Sequence, residues 1–195
     1  MRMRLKNVAE IHPGYLNRAK IKPNSRGSHW LVQARDVEAG VLQCGDASLI
    51  GFEPEVTSRD ILLRDGDVVF MARGAKNYAA LLTQISESTL AAASFFIVRA
   101  ASRDIDPAYL AWFLNQPRAQ RYFTQNSGRG VHMPVVRRSV LEQMDIPIPS
   151  RAAQGQIAEV FRLALDEQKL TKALLTKRAR LMEVVCLRAA EREDS

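Results

Sequence analysis

The sequence predicts a mixed α/β (α+β) domain followed by one long C-terminal α-helix. Three observations predict it. Short runs of β-branched and aromatic residues, separated by glycine turns, fill the stretch from Asp36 to Val98. Asp106-Pro107 then marks a helix start, with Asp able to cap and Pro at the first helical position, where its missing N–H costs nothing. Finally, from about Ala152 to Ala190 there is no glycine after Gly155 and no proline, while apolar residues recur at spacings of three and four.

Taken in order, the strand candidates are Leu31-Val32, Val41-Leu42, Ile61-Leu62-Leu63, Val68 to Met71 and Phe95 to Val98, with Gly40, Gly45, Gly51, Asp65-Gly66 and Gly74 between them. The helix from Pro107 buries Leu110, Phe113 and Leu114, so Tyr109, Trp112 and Phe113 read as core. Pro117 ends it, and a second short helix carries Tyr122 and Phe123. Gln125 to Pro134 reads as a polar, glycine-containing loop. Ile146-Pro147-Ile148-Pro149 reads as an extended linker, because each proline pushes its predecessor out of the helical region.

The last segment places Ile157, Phe161, Ala164, Gln168, Thr171, Leu175, Arg178, Met182 and Val185 on one stripe. At about 1.5 Å per residue such a helix extends roughly 55 Å, beyond what a compact domain of this size covers. Ile157, Phe161, Ala164, Leu175, Met182 and Val185 are therefore the candidate dimer contacts, pairing as a coiled coil with a partner helix. The expected boundaries are a domain over 1–150 and the helix over 151–195.

Composition bounds the function. The 195 residues are 47% hydrophobic and 25% charged, which excludes disorder and a disulfide-stapled miniprotein. Cys44 and Cys186 are far apart and form no C-x-x-C pair, so a reducing, cytoplasmic compartment is expected. The longest nearly apolar stretch, Leu90 to Val98, is about half of the roughly 18 residues a spanning helix needs, so no membrane partner is expected. Net charge is +7, and it is local. Residues 1–35 carry +7, 36–70 carry −6, 71–105 carry +2, 106–140 carry +4, and the remainder is neutral. Arg18, Lys20, Lys22 and Arg26 form one basic cluster; Arg118, Arg121, Arg129, Arg137 and Arg138 form another, both among turn-forming or aromatic residues. Loops that approach a phosphate backbone are often composed in this way.

Several stretches, in order, resemble the specificity (S) subunits of type I restriction-modification systems. They are LKNVAEIHPG (5–14), WLVQARDVEAG (30–40), LLRDGDVVFMARG (62–74), DPAYLAWFLN (106–115), Gly128 to Pro134, and MDIPIPSRAAQGQIA (144–158), which is similar to the family's I-P-x-P…Q-x-x-I-A entry into a long helix. The third is the most specific. The chain departs from the family where Ser150-Arg151-Ala152-Ala153 stand in place of P-P-L. Most members carry two such units, each a target-recognition domain with a helix; this chain has one. The resemblance implies a target-recognition domain over 1–150 and either a half-length homodimer reading a symmetric bipartite DNA site or a separated relic. It further implies a DNA methyltransferase (M) subunit as partner, with a restriction (R) subunit in the larger assembly.

The residues themselves carry no recognisable catalytic motif. There is no P-loop, no G-x-G-x-x-G, and no N-P-P-Y or D-P-P-Y. Glu167-Gln168-Lys169 offers an E-x-K, yet it falls within the long helix with no accompanying Pro-Asp strand. His12, His29 and His132 make no zinc spacing with the cysteines, and Ser127 lacks a G-x-S-x-G elbow. No cofactor and no metal are expected. What remains is binding to double-stranded DNA: Arg and Lys on phosphates for affinity, and Arg, Asn and similar groups on base edges for sequence. The candidates are Arg18, Lys20, Lys22 and Arg26 for phosphates. Arg73, Lys76, Asn77, Tyr78, Asn126, Arg129 and His132 are the candidates for bases or grooves. Asp65-Gly66-Asp67 reads as a turn before a buried strand. The competing readings are an interaction module that uses only the long helix, without sequence readout, and an enzyme with an unrecognised site.

Overall fold

The computed structural model describes residues 1–17, 21–38, 41–42, 49–55, 57–74, 76–127 and 135–193. The chain divides into two compact units, Met1–Ala158 and Glu159–Ser195.

In the first unit, β1 (Arg2–Arg4) leads through a 3-10 turn, Leu5–Asn7, into β2 (Ala9–Pro13). Then follow β3 (His29–Val32), a 3-10 turn at Ala34–Asp36, β4 (Val37–Glu38), β5 (Val41–Leu42), β6 (Ile50–Phe52), β7 (Val68–Met71), β8 (Ala79–Leu81), β9 (Thr89–Ala91) and β10 (Phe95–Ala100). Three helices, α1 (Pro107–Leu114), α2 (Pro117–Asn126) and α3 (Arg138–Glu142), precede β11 (Asp145–Pro147) and the long α4 (Arg151–Glu193). This is the mixed α/β domain with a long C-terminal helix that the sequence predicts.

The central sheet is antiparallel, in the order β2-β10-β7-β8. Val68, Val69, Phe70 and Met71 are all buried, so β7 is covered on both faces, which explains its unbroken apolar run. On one face, Val69, Met71, Ala80, Phe95 and Ile97 pack with Val32, Leu49 and Leu82. Phe70 turns the other way and meets Phe123 of α2 with ring centroids 4.8 Å apart. A second sheet, β6-β3-β9, joins β3 to β9 in parallel and to β6 antiparallel.

Local chemistry fixes the helices. The Asp106 carboxylate accepts from the backbone N–H groups of Ala108 and Tyr109, capping α1 as expected. Tyr109, Leu110, Phe113 and Leu114 are buried, and Trp112 is half-buried. Asn115, just past α1, has an amide that accepts from Ala79 N–H and donates to Ala79 carbonyl, thereby completing the outer edge of β8. Gly66 supplies the left-handed residue (φ +86°) of the turn before β7.

Four details differ from the sequence reading. Gln125 and Asn126 are the last residues of α2 rather than loop, because the Ser127 N–H and hydroxyl both donate to Phe123 carbonyl and prolong the last turn. Ile61-Leu62-Leu63 forms only an isolated bridge, Leu62 to Leu90, instead of a strand. Thr89–Ala91 forms β9, absent from the strand candidates, and Ala92 carbonyl accepts from Phe95 N–H where the chain turns from it into β10. The Ile146-Pro147 segment is no linker: it pairs antiparallel with β1, Met3 opposite Ile146. Proline is tolerated there because β11 has one neighbour and Pro147 ends it.

Candidate nucleic-acid interface

The turn joining β7 to β8 presents residues 72–78. Met71 N–H donates to Tyr78 carbonyl (2.8 Å), and the Asn77 amide donates back to Met71 carbonyl (2.8 Å), closing the loop. Arg73 and Lys76 are exposed on it; Asn77 and Tyr78 are half-buried. The Tyr78 hydroxyl lies 2.8 Å from Val37 carbonyl and 3.1 Å from Ala34 carbonyl, so its proton ties the loop to the 34–37 turn.

Arg73 is also where a third segment arrives. It forms an isolated antiparallel bridge with Val135, and Val136 N–H donates to Ala72 carbonyl (2.9 Å). The backbone N–H groups of Ala72 and Arg73 both donate to Ser94 carbonyl, so the base of the loop is held from two sides. The chain from α2 to α3 therefore returns to the Arg73 loop at Val135. Arg129 and His132 lie within that connection, outside the described residues, as do Arg18 and Lys20. Asn126 is exposed at the end of α2, where its amide donates to Tyr122 carbonyl.

Lys22 and Arg26 belong to a different turn, whose ties run to β6. Asn24 accepts from Arg26 N–H through its side chain and from Gly27 N–H through its carbonyl, and it donates to Gly51 carbonyl (2.7 Å). Gly27 sits so close to β6 that a Cβ there would lie 2.5 Å from Phe52 backbone, which only glycine permits. Beside it, Glu53 accepts from Ser28 N–H (3.1 Å) and hydroxyl (2.8 Å), and these bonds hold its carboxyl below the ordinary glutamate range.

Along α4, Ile157 and Phe161 are half-buried, while Ala164, Leu175, Met182 and Val185 are exposed. Exposed Val160, Leu163, Leu170, Leu174 and Leu181 follow a second line at spacings of three, four and seven. The base of α4 is held by Gln154, which is fully buried. Its side-chain oxygen accepts from Asp106 N–H (2.8 Å), and its amide donates to Asp104 and Pro149 carbonyls (2.7 and 3.0 Å).

Three residues escaped the sequence reading: Arg35, exposed on the turn that Tyr78 grips, and two whose side chains tie segments together, Asn115 at the β8 edge and Gln154. The Q-x-x-I-A resemblance contained Gln154 without revealing its partners, which lie 48 and 50 residues away. Among the described residues, no group of three or more His, Cys, Asp or Glu is placed to hold a metal ion. No described helix is long and apolar enough to cross a membrane. The arrangement offers exposed guanidinium and ammonium groups on hydrogen-bonded loops, a chemistry for anions and for the acceptors of base edges.

No protein-family model matches the chain, and neither does any curated protein. Solved structures do match. The S subunit of a type I restriction-modification system from M. genitalium superposes with a TM-score of 0.52 at 14% identity, covering 82% of this chain and 37% of that one. The HsdS subunit from Thermoanaerobacter tengcongensis gives 0.57 at 16% identity, covering 88% and 38%. A chain from a structure described as the basis of complex assembly and conformational transition of the type I R-M system gives 0.59 at 16%, covering 94% and 43%. The chain thus spans about two fifths of the length of these structures.

Proposed function

We propose, from the fold this chain shares with the S subunits of type I restriction-modification systems, that it is a non-catalytic specificity subunit that binds double-stranded DNA at a defined sequence. The observation that carries the reading is the extent of the likeness: nearly all of this chain aligns with 37–43% of each larger one, the share one recognition unit of a two-unit chain occupies. In this reading residues 1–150 are the target-recognition domain and 151–195 a dimerising spacer. Two copies pair through α4 as a coiled coil and present two recognition domains to a two-fold DNA site. The M subunit supplies methyl transfer, an R subunit supplies cleavage, and the assembly works in the cytoplasm. Arg73 and Lys76 face the duplex on a loop that Asn77 and Tyr78 hold in shape, with Asn126 at the end of α2 and Arg129 and His132 on the connection that follows it. Arg18, Lys20, Lys22 and Arg26 contact phosphates.

Co-purification with a cognate M subunit, followed by methylation of random-sequence DNA, tests this. Discrete modified motifs are the expected result. Methylation without sequence preference would instead support the second reading, an assembly module acting through α4, which the run of exposed apolar side chains on that helix favours.

A further inference from the structure

We infer that Arg35 and Arg137 are further phosphate contacts, flanking Arg73 and Lys76 on either side of the β7–β8 loop. The inference rests on the DNA-binding reading and deepens it: Arg35 stands outside both basic clusters, and Arg137, a member of the second, is not among the residues assigned to phosphates or bases.

Two backbone junctions carry the argument. On one side, the Tyr78 hydroxyl grips the carbonyls on both flanks of Arg35 and Asp36, at Ala34 and Val37. The turn between is rigid. Asp36 is buried, with its carboxylate accepting from Gln33 N–H at 2.8 Å, while Asp36 N–H donates to Gln33 carbonyl at 3.0 Å. Arg35 is left as the outward side chain of this turn, 65% exposed, with Nε 3.6 Å from the Asp36 carboxylate. That spacing orients the guanidinium and leaves its outer N–H groups toward solvent. On the other side, the Arg73–Val135 bridge continues into Val136 N–H on Ala72 carbonyl. Arg137 is extended (φ −73°, ψ 151°) and exposed, two residues beyond Val135 and so on the same side of the chain as Val135 and Arg73. Diagonal neighbours across such a pairing lie about 7–8 Å apart.

A duplex carries a phosphate about every 3.4 Å of axis on each strand, so side chains at this separation meet a dense row of anions, and each guanidinium can hold one bidentately. Arg138, next in the chain, is already engaged: its Nε donates to Glu142 at 2.7 Å. Of the two adjacent arginines, Arg137 is therefore the one available for an external anion.

The test uses the full chain, a fluorescein-labelled 30-base-pair random-sequence duplex, and anisotropy titrations across a range of NaCl concentrations. The variants are Arg35→Gln, Arg137→Gln, Arg73→Gln and, as a distant control, Arg103→Gln, each checked for an unchanged melting temperature. Arg35→Gln and Arg137→Gln are each expected to weaken binding about five- to tenfold at low salt and to reduce the log–log salt slope by about one unit. Arg103→Gln should do neither. A Tyr78→Phe change should weaken binding less in the Arg35→Gln background than in the parent, because the grip serves to place Arg35. If Arg73→Gln flattens the slope while Arg35→Gln and Arg137→Gln leave it unchanged, the inference fails and the DNA-binding reading stands. If the parent chain shows no salt-dependent binding, both fail.

Discussion

Asp67, the residue just before β7, and Arg99 on the neighbouring β10 form a two-point ion pair at the edge of the 60–67 turn. Arg99 Nε and Nη2 each donate at 2.8 Å to one oxygen of the Asp67 carboxylate. The Asp67 side chain is 2% exposed and that of Arg99 15%. Two of the three remaining guanidinium N–H groups donate to Leu62 and Asp60 carbonyls, and Asp67 also accepts from Arg64 N–H. The pair thus pins the 60–67 turn to β10. The aspartate bonds push the Arg99 guanidinium further toward its charged form.

Because both groups are nearly buried, removing one leaves the other charged and without its ion-pair partner. Asp67→Ala should cost about 3 kcal/mol or more in urea-unfolding stability. A double replacement of Asp67 and Arg99 by apolar residues should recover part of that loss; a loss equal to that of the single variant would show that the turn, not the charge, bears the energy.

Gln154 joins the start of α4 to the 104–106 segment and to Pro149. Gln154→Leu keeps the volume but strips one N–H and two carbonyls, all part-buried, of their partner, at about 1–3 kcal/mol for each group that water does not then reach. The expected result is a loss of at least about 2 kcal/mol in thermal or urea melts. Gln154→Glu can still accept from Asp106 N–H, yet it sets a carboxylate against two carbonyls, so its defect should ease as the pH falls and the carboxyl regains a proton.

Thr89 is fully buried on β9, and its hydroxyl has no hydrogen-bond partner among the described residues. Thr89→Val is nearly isosteric and removes that desolvated group. It should raise stability by about 1 kcal/mol, read as an upward shift of the melting temperature; destabilisation would mean that the hydroxyl is satisfied in solution.

Glu53 holds the 22–28 turn to β6 through Ser28. A carboxyl depressed in the folded state contributes stability above its unfolded pKa and loses it as pH falls through the folded value. An NMR titration of Glu53 should therefore give a midpoint below 4.5, and Ser28→Ala should move it back up, since Ser28 is the principal cause. The side chain is fully exposed, so the effect is expected to be local to the turn and not a matter of global stability.

What the sequence made legible follows from how local the determining forces are. The α1 cap at Asp106, the break at Pro117 and the unbroken apolar run of β7 are written in neighbouring residues, and all three stand in the structure. β2 and β11 were missed because each is made by a distant partner: Ala9–His12 alternates apolar and polar, but over only four residues before Pro13, too short a run to announce a strand until β10 supplies its ladder, and β11 contains proline. The candidate site divides in the same way. Loop composition picked out Arg73 and Lys76, which are exposed on a tight turn, but it could not show that the Tyr78 hydroxyl lies 41 residues in sequence from its carbonyl partner at Val37. For that reason Arg35, whose neighbours in sequence are unremarkable, went unchosen.

The last prediction concerns α4, whose second half has no buried apolar side chain. Leu174, Leu175, Leu181, Met182 and Val185 are all more than half exposed. Burying a leucine or methionine side chain is worth about 1.5–3 kcal/mol, so a handful of them from each copy facing a second helix is of the size needed to offset the roughly 4–15 kcal/mol cost of association. Pairing between two copies is expected to use the line through Leu175 and Met182. Leu175→Glu with Met182→Glu should then convert a sedimenting dimer of the full chain to monomer without altering the melting of residues 1–158. The matched variant, Leu174→Glu with Leu181→Glu, alters the second line at the same depth along the helix. If that variant alone dissociates the dimer, the seam lies about 100° around the helix from Leu175, one residue's rotation at 3.6 residues per turn. If the parent chain sediments as a monomer at every concentration, the two-copy arrangement fails and α4 must find its cover on another subunit.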